Sequence, residues 1–374
     1  MNHRYFAAAN SAEGFKNYYP EVFSRADFVY IIKGGPGTGK SSLMRRFAAR
    51  AEEQGALCEY YFCSSDPSSL DGVLAFGEKG VIGILDGTSP HVSEPKFPGA
   101  REQIINLGEC WDVSLLRKQK NEIMALSERK GAEYKSAYTF LRSVGNLRAV
   151  SEGFLSEAVD YIKLRAAAGR LIRELPEGRA SITPAILDSV SMSGRVRLDS
   201  FEQNAKKLYI ISDFHGLGRM FLTELLSTLK AKDVVARVSF DPISPERVDG
   251  IFLERERVAF ITVRDAQEKF ETLQSSHGTW GDANAATDGR GADGSRDGRD
   301  VVLINSKRFV DPERLRDIRS ELRYTDRLAE SSLDGALHAL SKAKIYHFLL
   351  EDIYGKAMDW SKFEGICATL CEKT

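Results

Sequence analysis

One pattern occurs twice in the chain and constrains the fold more than any other feature. The segment FVYIIKGGPGTGKSSL, ending at Leu43, aligns without a gap on KLYIISDFHGLGRMFL, ending at Leu222. Tyr30 falls on Tyr209, 179 residues later, with Gly37 on Gly216 and Gly39 on Gly218. Further landmarks keep the same order. Asp66-Pro67 matches Asp241-Pro242, and Asp71-Gly72-Val73 matches Asp249-Gly250-Ile251 after a three-residue insertion. The run 105–117 matches 304–316, which puts Asp112 on Asp311. Landmarks repeated in one order imply a tandem duplication whose second copy has drifted. A chain of 374 residues is also long enough for two domains. The boundary falls near 180, giving units 1–180 and 181–374.

Each unit begins strand, loop, helix. Residues 27–33 are β-branched and aromatic, as a buried strand requires. Beyond the loop, Leu43, Met44, Phe47, Ala48 and Ala51 recur at a helical period, and Gly55 supplies a stop. Residues 56–64 read as a second strand and 80–87 as a third. Strands alternating with helices predict an α/β fold with a parallel sheet in each unit. A charged, helix-favouring stretch follows each sheet, at about 112–175 and 311–371. Each is too long for one ordinary helix, so a helical hairpin is expected in each unit. Residues 277–300 are rich in Gly, Asp and Ala without apolar period, and read as a flexible insertion.

Residues 34–41, GGPGTGKS, fit G-x-x-x-x-G-K-[ST], the P-loop pattern, in its confirming context between a strand and a helix. Gly34, Gly35, Gly37 and Gly39 let the backbone turn its N–H groups toward phosphates at close range. Pro36 and Thr38 complete the loop and Ser42 follows it. Lys40 would place a charge against the terminal phosphates, and Ser41 would offer a hydroxyl to Mg²⁺. The helix starting there presents its positive end to the same anion. Asp86 ends the apolar run 81–85 and is the candidate second Mg²⁺ group, with a turn aspartate before Gly87 as the plainer reading. Candidates for acid–base or water-positioning work lie on loops after strands. These are Ser64, Ser65, Asp66 and Asp71, then Thr88, His91 and Glu94. Asp66, Thr88 and His91 are put forward as the catalytic group, each with a structural role as the alternative.

The second copy lacks this equipment. In the gapless alignment Asp213 replaces Gly34, Arg219 replaces Lys40 and Met220 replaces Ser41, and the later strand 258–263 ends without an acid, with Val263 where Asp86 stands. A pseudo-domain is expected, with Arg219 holding a regulatory anion as the lesser alternative.

Charge and composition exclude some classes. A net charge of -1 disfavours a general nucleic-acid binder. No apolar run approaches the ~18–20 residues of a membrane span. The N-terminal residues lack the apolar core of a secretory signal. The five cysteines, an odd number, read as reduced thiols of a cytoplasmic protein.

The runs KGGPGTGKSSLM (33–44), CSSD-x-x-SLDGV (63–73), ILDGTSPH (84–91) and PGAREQIINLGECWD (98–112) carry a resemblance. The chain resembles an uncharacterised bacterial family of duplicated, tandem P-loop ATP-binding proteins. The resemblance implies two tandem P-loop domains with helical insertions, ATP binding and an ATPase activity. Relatives keep a P-loop in both halves, and this chain departs from them at Asp213, Arg219 and Met220. ATP over GTP follows from the resemblance and from the lack of an N-K-x-D string. The leading expectation is a Mg²⁺-dependent ATPase using the first site only. Alternatives are a small-molecule or nucleotide kinase, and a nucleotide switch that binds a protein partner.

Overall fold

The two halves build the same succession of elements, with one added helix in the second. The computed structural model describes residues 3–278 and 300–373. The first half contributes β1 (Arg4–Phe6), β2 (Ala8–Ser11), β3 (Gly14–Asn17), α1 (Tyr19–Phe23), β4 (Phe28–Lys33), α2 (Lys40–Glu53), β5 (Leu57–Phe62), β6 (Leu70–Gly77), β7 (Gly80–Asp86), β8 (Glu102–Asn106), α3 (Val113–Lys118), α4 (Lys120–Ser156) and α5 (Tyr161–Leu171). The second contributes β9 (Ser181–Pro184), β10 (Asp188–Ser191), β11 (Gly194–Arg197), α6 (Ser200–Asn204), β12 (Lys207–Ser212), α7 (Leu217–Leu229), β13 (Val235–Phe240), β14 (Val248–Leu253), β15 (Val258–Val263), the added α8 (Ala266–Gly278), β16 (Asp300–Ile304), α9 (Pro312–Asp317), α10 (Arg319–Lys356) and α11 (Trp360–Lys373). Of the insertion expected at 277–300, residues 279–299 lie outside the described residues, and Asp300 already belongs to β16.

The fold is mixed α/β with two six-stranded sheets of identical order, β1-β5-β6-β7-β4-β8 and β9-β13-β14-β15-β12-β16. Neither sheet is wholly parallel, contrary to the sequence reading. β6 and β14 run antiparallel to both neighbours, while the remaining pairs are parallel. β6 escapes notice because Asp71 and Gly72, types depleted in strands, sit near its start. All of residues 70–75 are nevertheless buried.

The pairing registers revise the alignment of the copies. Phe62 pairs with Leu70 and Phe240 with Val248, so the two intervening loops have equal length and there is no three-residue insertion. Asp241 therefore stands opposite Cys63, not Asp66. Ile32 pairs with Asp86 and Ile211 with Thr262, so Thr262, not Val263, is the counterpart of Asp86. The buried face of α2 (Leu43, Met44, Phe47, Ala48, Ala51) matches that of α7 (Phe221, Leu222, Leu225, Leu226, Leu229). That match makes the second loop one residue shorter and moves Arg219 from the place of Lys40 to that of Ser41.

The helical stretches do not form a hairpin within each half. Asp112 and Asp311 cap α3 and α9 as their sequence predicts. Each stretch then continues into one helix, of 37 residues in α4 and 38 in α10. A helix of that length spans about 55 Å and needs a partner along it. The other half supplies it. α4 and α10 run antiparallel, with Leu126 against Leu350, Phe140 against Gly335, and Ser151 bonded to Thr325 through their hydroxyls at 2.6 Å. At the ends, Asp112 N–H donates to Ala357 at 2.7 Å and Asp359 N–H to Cys110 at 2.7 Å. The mirrored pair joins Asp160 N–H to Phe309 at 2.8 Å and Asp311 N–H to Ala158 at 2.9 Å. α11 then packs on α2, where Glu364 pairs with Arg46 at 2.5 Å, and α5 packs on α7, where Arg165 pairs with Glu224 at 3.1 Å. Each half thus lends its arm to the other.

The same reciprocity holds between the sheets. Ala12 N–H donates to Ile243 and Met192 N–H to Ser65, both at 2.9 Å. Phe6 and Ile186 exchange backbone bonds of 2.8 and 3.2 Å. These are the self-complementary contacts of a twofold dimer, realised within one chain. No helix among the described residues is long and apolar enough to cross a membrane.

Candidate functional site

The loop 34–41 links the carboxyl end of β4 to the start of α2, at the edge of a cavity of about 760 Å³. Every residue from Gly34 to Ser42 lines it, as do Asp66, Asp71, Asp86, Thr88 and His91. The strand order explains the convergence. β7 pairs with β4, which brings Asp86 beside the loop, and β6 lies next to β7, which brings Asp71 there too.

Lys40 Nζ donates to the carbonyls of Gly34 at 3.2 Å and Gly35 at 2.6 Å, and lies 3.5 Å from Asp86. Ser41 Oγ accepts from Leu70 N–H at 3.0 Å. Thr38 donates to Gly35 at 2.9 Å and holds the turn. Asp86 Oδ1 accepts from the Thr88 N–H at 2.8 Å and its hydroxyl at 2.5 Å. Thr88 is thus spent on orienting Asp86. Asp66 accepts from Ser68 N–H and Oγ at 3.2 and 2.8 Å, the geometry of a turn cap at the cavity rim. Glu94 is drawn outward by Lys33, which bonds it at 2.6 Å and also binds the carbonyls of Gly87 and Ser93. His91 is buried, with Nε2 at 3.7 Å from Asp71 and 4.0 Å from Asp86. Burial above all, and the Asp86 charge in addition, push the Asp71 carboxyl up to about 6, with His91 partly opposing.

The opposite wall comes from the arms, which sequence reasoning did not place here. Lys130 of α4 lines the cavity with Tyr134 and Tyr138, and His347, Glu351 and Trp360 come from α10 and α11. Burial and the charge of Lys40 hold the Lys130 ammonium below its ordinary pKa. Glu351 is held below the usual carboxylate range, first by its bond to His347 and then by Lys40 and the Gly37 N–H. The one legible signal for these residues was the duplication itself, since paired arms of equal length invite exchange.

Gly37 shows how closely the arm sits. Its φ is +68°, and a Cβ there would lie 2.3 Å from the Glu351 carbonyl oxygen. Gly37→Ala is expected to lift α10 off the loop and to cost more than about 1 kcal/mol. The checks are the urea midpoint and hydrogen exchange around Glu351, which should become faster.

The matching cleft of the second half, about 690 Å³, is lined by Arg148, Asp213, Arg219, Arg247 and Lys307 among others. Its arginines are paired with carboxylates. Arg219 pairs with Asp213 and, at 3.0 Å, with Asp241. Arg148 also holds Asp241 at 3.0 Å, and Arg247 holds Glu152 at 2.5 Å. Burial opposes ionisation of Asp241, but the two arginines outweigh it and keep its carboxyl far below the usual range. Thr262, in the place of Asp86, donates to the Asp249 carbonyl at 3.2 Å. No protein-family model, curated protein or solved structure matches this chain.

Proposed function

We propose that the first cavity binds ATP with Mg²⁺ and that the protein is an ATPase working from this one site. The observation that carries the reading is the convergence of a P-loop pattern, two lysines from different elements, and the oxygens of Ser41 and Asp86 on one cavity. Its size of about 760 Å³ lies within the ~300–1,000 Å³ usual for ligand sites. The donor set fits the ligand. Loop amides and the α2 N-terminus suit phosphate oxygens, and Lys40 and Lys130 supply positive charge on both sides. Ser41 and Asp86 offer hard oxygens for Mg²⁺. The bound ion would neutralise charge on the transferring phosphoryl group. Asp71 and Asp86 line the same space, and a carboxylate there would orient a water.

A second reading is a nucleotide switch. It is favoured by the contact of Glu351 with Gly37, which makes the arm a direct neighbour of the phosphate loop.

The test is a titration of the purified chain with ATP and Mg²⁺, followed by assays of free phosphate and ADP. Binding with free phosphate released supports the ATPase. Binding without turnover supports the switch, and ADP formed only with an added acceptor supports a kinase. No ATP binding at all would overturn the proposal.

A further inference from the structure

We infer that Asp71, Asp86 and His91 form a binding site for a divalent first-row transition metal ion that is separate from the ion carried by a nucleotide. One donor atom from each residue lies within 4.8 Å of the other two, and all three residues are buried. Bonds of ~2.0–2.2 Å allow two donors on one ion to stand up to about 4.3 Å apart. The separations of His91 Nε2 from Asp71 and Asp86, 3.7 and 4.0 Å, fall inside that limit.

An independent observation points to a ligand. Neither ring nitrogen of His91 has a hydrogen-bond partner, although the residue is only 6% exposed. An unpartnered buried imidazole is costly, and a metal ion satisfies it. The ring is also held in place, with the Tyr19 ring at 5.3 Å and the Phe15 ring at 5.9 Å. Asp86 is oriented in the way a ligand carboxylate usually is. Thr88 takes both bonds to Oδ1, and Oδ2 faces His91. Two carboxylates carry the charge a divalent ion needs.

The chemistry of the set selects the metal. Mg²⁺ and Ca²⁺ prefer all-oxygen shells, whereas an imidazole with two carboxylates suits Mn²⁺, Fe²⁺, Co²⁺ or Zn²⁺. Three protein ligands leave positions open toward the cavity, where water or a substrate oxygen completes the shell. The site needs no nucleotide and shares Asp71 and Asp86 with the ATP reading, while His91 belongs to the metal site alone. Lys40, 3.5 Å from Asp86, competes with the ion for that carboxylate.

The experiment is titration of the purified full chain with Mn²⁺ in excess Mg²⁺ and without nucleotide, followed by electron paramagnetic resonance. One Mn²⁺ is expected to bind per chain. His91→Gln and Asp71→Asn are each expected to weaken it at least about tenfold. Lys40→Ala is expected to keep or tighten it. Asp71→Asn, nearly isosteric, carries the test if His91→Gln does not fold. Absence of Mn²⁺ binding, equal binding in wild type and both variants, or binding only after ATP is added would each overturn the site. Mn²⁺ binding in a chain that fails to bind ATP would leave the metal site standing and reject the nucleotide reading alone.

Discussion

Lys40→Ala is expected to weaken ATP binding by about 2–5 kcal/mol, from about thirtyfold to more than a thousandfold. The lysine closes the loop on itself through the carbonyls of Gly34 and Gly35, and its charge stands 3.5 Å from Asp86. Removing it takes a cation from the phosphates and also leaves Asp86 without its nearest counter-charge. The cavity then repels a polyphosphate, so the loss exceeds that of one contact. Arg219→Ala is the control. Arg219 belongs to the other cleft and is already engaged by Asp213 and Asp241. Its removal is expected to leave ATP affinity within about twofold, since distant sites act nearly independently. Calorimetric titration of both variants with Mg²⁺ and ATP makes the comparison. Unchanged affinity in Lys40→Ala would reject the assignment.

The sequence made the half-site legible because its pieces are local. The loop 34–41, the strand before it and the helix after it are contiguous, so spacing alone locates them. Asp86 follows from an apolar strand ending in an acid. His91 and Asp71 were visible as loop and strand-end candidates, but their approach to each other depends on β6. That strand was hidden because Asp71 and Gly72 break the pattern by which strands are recognised. Thr88 and Glu94 were legible as polar groups near the site, yet their bonds to Asp86 and Lys33 turn them into supports.

The arms were illegible for a different reason. Amphipathic helices state that they need a partner, not which one. α4 and α10 each carry buried positions along their length, and a hairpin within either half would cover such a face as well. The exchanged arms are fastened at the junctions, where Asp112 meets Ala357 and Asp160 meets Phe309. Its consequence is functional. The first cavity is walled by Glu351 and Trp360 from the second half, so both halves build it. The cleft of the second half is instead occupied by an internal ion-pair network of Arg148, Arg219 and Arg247 with Asp213, Asp241 and Glu152.

Glu59→Gln is expected to destabilise the folded chain by about 3–5 kcal/mol, a large share of the ~5–15 kcal/mol that holds a typical domain together. Glu59 and Arg237 occupy equivalent places on β5 and β13, so the contact between them ties the halves across their common axis. Glu59 is 2% exposed. It accepts from Arg237 at 2.5 Å, from the Tyr61 hydroxyl at 2.6 Å, and from both terminal nitrogens of Arg25. Glutamine keeps the shape and removes the charge. Arg237 is then left buried over the Tyr5 ring with Glu254 as its remaining carboxylate, and Arg25 loses its own. The pH dependence separates charge from packing. Burial alone raises the Glu59 carboxyl, but Arg237 and Arg25 outweigh burial and hold it at about 2, against 4.5 for the free side chain. A carboxylate depressed in the folded state contributes its full stability above the unfolded value and loses it as pH falls through the folded value. The stability gap between wild type and variant, read from urea unfolding, is therefore expected to be widest above about pH 5 and to close as pH falls toward about 2. A gap of equal size at about pH 3 and about pH 7 would assign the loss to packing and remove the charge pair from the account of how the halves hold together.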